Sequence, residues 1–272
     1  MFQLLEKLQF DKDPSQIFFV GDIHGQHLHL LRDLEKRGFD QETDILIATG
    51  DLIDRGPHSR SVLGLLDQPW FFSVAGNHEF MLLDARDNWT EHKLKTHFMN
   101  GGAWCRRNVE GATRQFHMPF VENIQEHVSA CESMPLQIEF QVGNFKVGVI
   151  HTIPRPMKKW PITHPSVLIS DFTWGNHRGD FREDYPLSYT HPNFEGVDLV
   201  VTGHDSVEKP IVHENVAWMD TYDRSGKFSI LNIPDLIDLK KRQLAPTPKI
   251  QDDDKWIENY VFEEQDFDDG SE

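Results

Sequence analysis

Short apolar runs recur through the first third of this chain, and each stops at a glycine followed by a polar residue. The first is QIFFV, Gln16–Val20, whose aromatic and β-branched content predicts a strand ending at GDIHG, Gly21–Gly25. In the next segment leucines at 28, 31 and 34 fall close to helical spacing, and Gly38 supplies a stop. DILIATG, Asp44–Gly50, predicts a second strand running into GDLIDRGP, and HSRSVLGLLDQ a second helix closed by Pro69. A third run, WFFSVAG, ends at Gly76-Asn77-His78-Glu79, with helix continuing through FMLLDAR. Strand–helix–strand–helix–strand implies parallel pairing. Residues 88–135 read as mostly helical around NGGAW, Asn100–Trp104. Beyond them come LQIEFQVGNFKVGVIH with a hairpin signal at Gly143-Asn144, then VDLVVTGH, IVHENVAWMD and KFSILNI, a half that leans antiparallel. The fold class is α/β, with a mixed domain over residues 1–235.

Composition narrows the picture. A chain of 272 residues can bury a large core, and 19 Phe and 7 Trp argue against overall disorder. Its 27 basic and 44 acidic residues leave a net charge of −17, which disfavours nucleic acid as a partner because phosphates need a basic surface. No stretch approaches the roughly 18 apolar residues that span a bilayer, and the first fifteen residues lack a signal-peptide core. The expectation is a cytoplasmic protein with no membrane partner. Cys105 and Cys131 fit a reducing compartment and leave one disulfide open. Lys249–Glu272 holds ten acids against two lysines, so residues 236–272 read as an acidic extension, partly disordered or docked, able to bind a partner.

The strand ends carry the chemistry. Three early strands end in Gly21-Asp22, Gly50-Asp51 and Gly76-Asn77, and two later ones in His151 and His204. Each alone reads as a turn or a hydrogen-bonded histidine. Together they could deliver ligands to one edge, since open α/β folds bind beyond the carboxyl ends of their strands. Carboxylates and imidazoles without thiolates suit Mn, Fe or Zn. Two such metals activate water and polarise phosphoryl oxygens, with the central Asp51 as the economical bridge. His78, oriented by a carboxylate such as Asp54, can protonate a leaving oxygen.

In this order GDIHG, GDLIDRG and GNHE resemble the core motifs of the calcineurin-like metallophosphoesterase superfamily, in the form used by PPP-type serine/threonine protein phosphatases. NGGAW and the chain length resemble the compact branch typified by the phage lambda phosphatase. The resemblance runs from about Phe19 to Asn232. It implies a β-sandwich of mixed sheets flanked by α-helices, and two divalent metal ions, Mn²⁺ first with Fe or Zn as alternatives. Asp22, His24 and bridging Asp51 would hold one metal; Asp51, Asn77, His151 and His204 the other. His78 would be the general acid, Asp54 its partner, and Arg55 with Arg178 (Arg182 as fallback) the phosphoryl clamp. The implied reaction is phosphomonoester hydrolysis by a metal-bridging hydroxide, on phosphoserine or phosphothreonine in proteins or on a small phosphoester. Two departures are expected at the pocket rim: Thr152 with Pro154-Arg155-Pro156 after His151, and Tyr222 within DTYDRSG. A dinucleoside polyphosphate hydrolase, acting on diadenosine tetraphosphate, shares the motifs but tends to have Asp where Glu79 stands. An inactive partner-binding scaffold would need missing ligands, and none is missing.

Overall fold

The computed structural model describes residues 2–87, 90–106, 124–154, 158–175 and 193–244. A strand not foreseen from the sequence, β1 (Glu6–Gln9), comes first. Then, as the periodicity predicts, strands β2 (Ile17–Val20), β3 (Ile45–Ala48) and β4 (Phe71–Ser73) alternate with helices α1 (His27–Arg37) and α2 (Ser59–Leu63). Gly38 closes α1 in the left-handed conformation that glycine reaches without steric cost. The second predicted helix is shorter than expected, because α2 tightens into a 3-10 turn over Gly64–Asp67. Helix α3, Asn77–Asp87, starts at Asn77 itself, so the GNHE residues sit on its first turn. Then follow α4 (Glu91–Met99), a 3-10 helix over Gly102–Cys105 and α5 (Ile124–Ser133).

In the second half β5 (Gln137–Val142) and β6 (Phe145–Ile150) form the predicted hairpin. Helix α6 (Ile169–Trp174), strands β7 (Leu199–Thr202), β8 (Ile211–His213) and β9 (Val216–Trp218), helix α7 (Tyr222–Ser225), strand β10 (Leu231–Asn232) and helix α8 (Ile233–Leu244) complete the chain as described. The sheets run β10-β2-β3-β4 and β1-β5-β6-β7-β9-β8. The antiparallel leaning of this half needs correction. Among the described residues antiparallel pairing is confined to the hairpins β5–β6 and β8–β9 and to β10 on β2, whereas β6, β7 and β9 lie parallel to one another. Parallel order aims the carboxyl ends of these three strands the same way, which the placement of His151 and His204 requires.

Alternation along the strands builds a sandwich. Ile17 and Phe19, Ile45 and Ile47, Val147 and Val149, and Leu199 and Val201 share one buried cluster between the sheets. Their neighbours Phe18, Val20, Leu46, Ala48, Ile150 and Val200 join the second cluster, with Leu30 and Leu34 of α1 and Val128 and Cys131 of α5. Strands buried on both faces read as continuous apolar runs, the pattern seen in the sequence. Ile233 and Leu236 of α8 are buried in the inter-sheet cluster, so this helix crosses residue 235 as part of the packed unit. Among the described residues no helix is long and apolar enough to cross a membrane.

Candidate active site

The loops after β2, β3, β4, β6, β7 and β9 meet at one edge of the sandwich. Two of them are laced by backbone hydrogen bonds: the amides of Ile23 and His24 donate to Asp51 O at 3.1 and 2.8 Å, and Gly56 N–H to His24 O at 2.9 Å. Glu79, fully buried on the first turn of α3, pins the second loop to the third. Its carboxylate accepts from the amides of Asp51 (3.0 Å), Leu52 (2.9 Å), Ile53 (3.3 Å) and Gly76 (2.8 Å). Burial and the charge of Asp51 push the Glu79 carboxyl up to about 7, against the amide donors that favour the anion. A β-carbon on Gly76 would lie 2.1 Å from Asp51 Oδ1, which fixes that position as glycine. Among the described residues six non-glycine positions have positive φ, and five are site residues: His24, Asp51, Asp54, Arg55 and His204. Left-handed backbone at such residues costs about 1–3 kcal/mol each and persists only where surrounding packing imposes it.

Every expected ligand within the described residues reaches this edge. Two groups could hold a cation, His24–Asp51–His78 and Asp51–His151–His204, with ligand atoms within 4.8 Å of one another in each group and Asp51 common to both. His24 Nδ1 lies 3.1 Å from Ile53 O, and His151 Nδ1 2.8 Å from Thr49 O. A carbonyl only accepts, so each Nδ1 donates its proton and leaves Nε2 as the nitrogen turned toward the site. Burial lowers the His24 pKa to about 4, which keeps the ring neutral. His151 Nε2 faces Asn77 Oδ1 at 3.0 Å and His204 Nδ1 at 3.1 Å, and the latter two are 3.0 Å apart. These three atoms, each able to act as a ligand, converge in a cradle suited to a cation. The carboxylates agree with this. Burial and the nearby Asp220 and Asp51 charges hold Asp22 well above the usual range. Burial would raise Asp51 too, but His151, His78 and His24 hold it below the usual range. The donor set therefore fits two borderline divalent cations.

His78 differs from the other histidines. Its Nδ1 is 2.8 Å from Asp54 Oδ2, both side chains being fully buried, and its Nε2 lies 3.4 Å from Arg55 Nη2. A guanidinium beside Nε2 opposes a cation there. Burial would lower the His78 pKa, but Asp51 and Asp54 raise it. Arg55 also forms an ion pair with Asp223.

The cleft over this edge holds about 290 Å³ and is lined by Asp22, Asp51, Asn77, His78 and His204, and also by Asn100, Trp174, Asp220, Asp223 and Arg224. Neither expected rim residue lines it. Thr152 is fully buried behind His151, and Tyr222 stacks on Phe228 with centroids 4.5 Å apart, its hydroxyl bonded to His29. Their neighbours Asp220, Asp223 and Arg224 take that place. Asp220 is buried, with Oδ1 unpartnered, and burial pushes its carboxyl up to about 7. Its sequence signals were a position at the end of an apolar run, as for His151, and its place at the head of DTYDRSG, where Tyr222 rather than Asp220 was expected at the rim. Arg178 and Arg182 lie outside the described residues, as does the Arg155-Pro156 turn; Trp174, before them, lines the cleft.

A sandwich whose strand ends gather histidines and carboxylates into two groups sharing one aspartate defines a metal-dependent phosphoesterase. A family model for calcineurin-like phosphoesterases matches residues 15–208, and the chain belongs to that family. Serine/threonine-protein phosphatase 2 of Escherichia coli (strain K12) is 55% identical over 225 residues, covering 80% of this chain and 92% of its own. The symmetrical bis(5'-nucleosyl)-tetraphosphatase of Buchnera aphidicola (subsp. Baizongia pistaciae, strain Bp) is 44% identical over 68 residues, 24% of each chain. The solved structure of a mutant cold-active protein tyrosine phosphatase has a TM-score of 0.51 at 18% identity, covering 84% of this chain and 77% of that one, a likeness of fold.

Proposed function

We propose that this protein is a metal-dependent phosphoprotein phosphatase that hydrolyses phosphoserine and phosphothreonine esters, with Mn²⁺ as its first candidate metal. The observation that carries the reading is Asp51 shared between two ligand groups beneath a cleft that also contains His78 and Arg55. Asp22, His24 and Asp51 would hold one cation, and Asp51, Asn77, His151 and His204 the other. When bound, such a pair supplies Lewis acidity toward phosphoryl oxygens and lowers the pKa of nearby water. Arg55 grips the phosphoryl group, exchanging Asp223 for substrate oxygens, and Arg178 is the proposed second guanidinium. Asp54 orients His78 through Nδ1, which turns Nε2 toward the leaving oxygen as the proton donor.

Substrate choice rests on how far each relationship extends. The match to a protein phosphatase spans most of both chains, while the match to a dinucleoside tetraphosphatase spans about a quarter. Assignment to the compact phage-lambda-like branch rests on NGGAW and the chain length alone. Residues 245–272 are proposed as an acidic extension outside the catalytic unit, which includes α8. The test is a panel of phosphoserine, phosphothreonine and phosphotyrosine peptides, p-nitrophenyl phosphate and diadenosine tetraphosphate at one fixed Mn²⁺ concentration. Phosphoserine and phosphothreonine peptides should give the highest kcat/KM. Preference for the dinucleotide would replace the reading.

A further inference from the structure

The reading above uses one edge of the Asp54 carboxylate and leaves the other unexplained. Asp54 is fully buried, at φ 72°, and a buried carboxylate needs donors on both oxygens. Oδ2 takes the His78 Nδ1 contact at 2.8 Å. Oδ1 accepts from Trp104 Nε1 at 2.7 Å, a charge-assisted bond from a residue fifty positions away. His97 Nε2 stands 3.3 Å from Oδ2, within ion-pair reach but not aligned as a hydrogen bond.

The segment that delivers Trp104 is built for this approach. After α4, Gly101 takes φ 101°, and its carbonyl accepts from Arg55 N–H at 3.3 Å. A β-carbon on Gly101 would lie 2.4 Å from Arg55 N, so only glycine lets the segment dock against the Asp54-Arg55 turn. The 3-10 helix Gly102–Cys105 then turns the indole onto Asp54, while the indole body packs against the main core cluster. The segment thus touches both neighbours of His78: Arg55 through its backbone and Asp54 through its side chain.

We propose that Trp104 is a positioning residue for the proton donor, fixing the Asp54 carboxylate and through it the direction of His78 Nε2, with His97 as a secondary support. This inference rests on His78 being the proton donor. In the reaction water supplies the oxygen that bonds to phosphorus, the bond from phosphorus to the ester oxygen breaks, and the electron pair stays on that oxygen. The departing oxygen takes the His78 Nε2 proton, and the attacking water's proton restores the histidine. A weakly basic leaving group such as p-nitrophenolate departs with little need for that proton; a more basic one needs it. Loss of a positioning residue must therefore scale with leaving-group basicity, whereas loss of general packing would not.

The experiment compares full-length Trp104→Phe, Asp54→Asn, His78→Asn and the Trp104→Phe/Asp54→Asn double variant on phenyl phosphate and p-nitrophenyl phosphate with saturating Mn²⁺. Trp104→Phe is expected to lower kcat on phenyl phosphate by roughly 10- to 100-fold and on p-nitrophenyl phosphate by less than about 3-fold, with KM unchanged. In the Asp54→Asn background the same change should have no further effect. Equal losses on the two substrates, or additivity with Asp54→Asn, would overturn the inference. Equal losses for His78→Asn would instead remove the proton-donor role itself. A second readout needs neither metal nor turnover. Of the seven indole N–H resonances, the one lost in Trp104→Phe should be protected from exchange and should move and exchange faster in Asp54→Asn. If Trp104→Phe does not fold, the Asp54→Asn spectrum still decides, since failure of any indole resonance to respond would overturn the proposal.

Discussion

Glu79 has the most consequential task of any single side chain that touches no substrate. Its two oxygens share four amide donors from the loops bearing Asp51 and Asn77, so one carboxylate sets the distance between two ligands. Glu79→Gln turns one oxygen into an NH₂ that faces two of those donors. The expected result is a loss of about 1–3 kcal/mol in urea unfolding together with weaker Mn²⁺ binding by calorimetry; an unchanged midpoint and affinity would refute the role. His78→Asn should cut turnover by roughly 10²–10⁴-fold while sparing bound metal, measured by elemental analysis. Comparable loss of metal would make His78 a ligand, as its grouping with His24 and Asp51 permits. The sequence named these residues by type, because a ligand or acid must be Asp, Asn or His. It did not name Trp104 or Asp220 as parts of the site, since an indole or one further aspartate carries no local mark of what it faces.

At the scale of elements, the βαβαβ opening was legible because each strand is buried on both faces and bounded by glycine. The second half was less so. β6, β7 and β9 are parallel, yet their sequences contain nothing that separates parallel from antiparallel pairing, and the hairpin signals in LQIEFQVGNFKVGVIH describe only local turns. The β8–β9 turn offers a test free of the site: Glu214 has φ 52°, a conformation that costs a β-carbon roughly 1–2 kcal/mol. Glu214→Gly, offset by glycine's own entropy, should stabilise the fold by about 0.5–1 kcal/mol, read as a rise in Tm with activity unchanged. A fall in Tm would show that the Glu214 side chain contributes more than its backbone costs.

The whole molecule couples its stability to its chemistry. Asp22, Asp51 and Asp220 are buried close together, and their mutual repulsion is held in place by the two-sheet core. Cations that bind only the folded chain should therefore stabilise it, by about 2.7 kcal/mol at a hundred times Kd. The expected observation is a Tm that rises with Mn²⁺ concentration and falls on chelation, together with loss of hydrolysis; a metal-independent Tm with metal-independent activity would overturn the dinuclear reading. Truncation after Leu244 should leave p-nitrophenyl phosphate turnover within about 2-fold, since α8 already closes the inter-sheet cluster. Failure of that variant to fold would place the acidic segment in the core. The sequence alone determined which candidate side chains stand at the strand ends and where most strands stop, because residue type and apolar burial are local properties of the chain. Only the tertiary structure decided that β6, β7 and β9 run parallel and that Trp104 reaches Asp54. Those facts depend on which distant segments pack together, and local periodicity does not encode them.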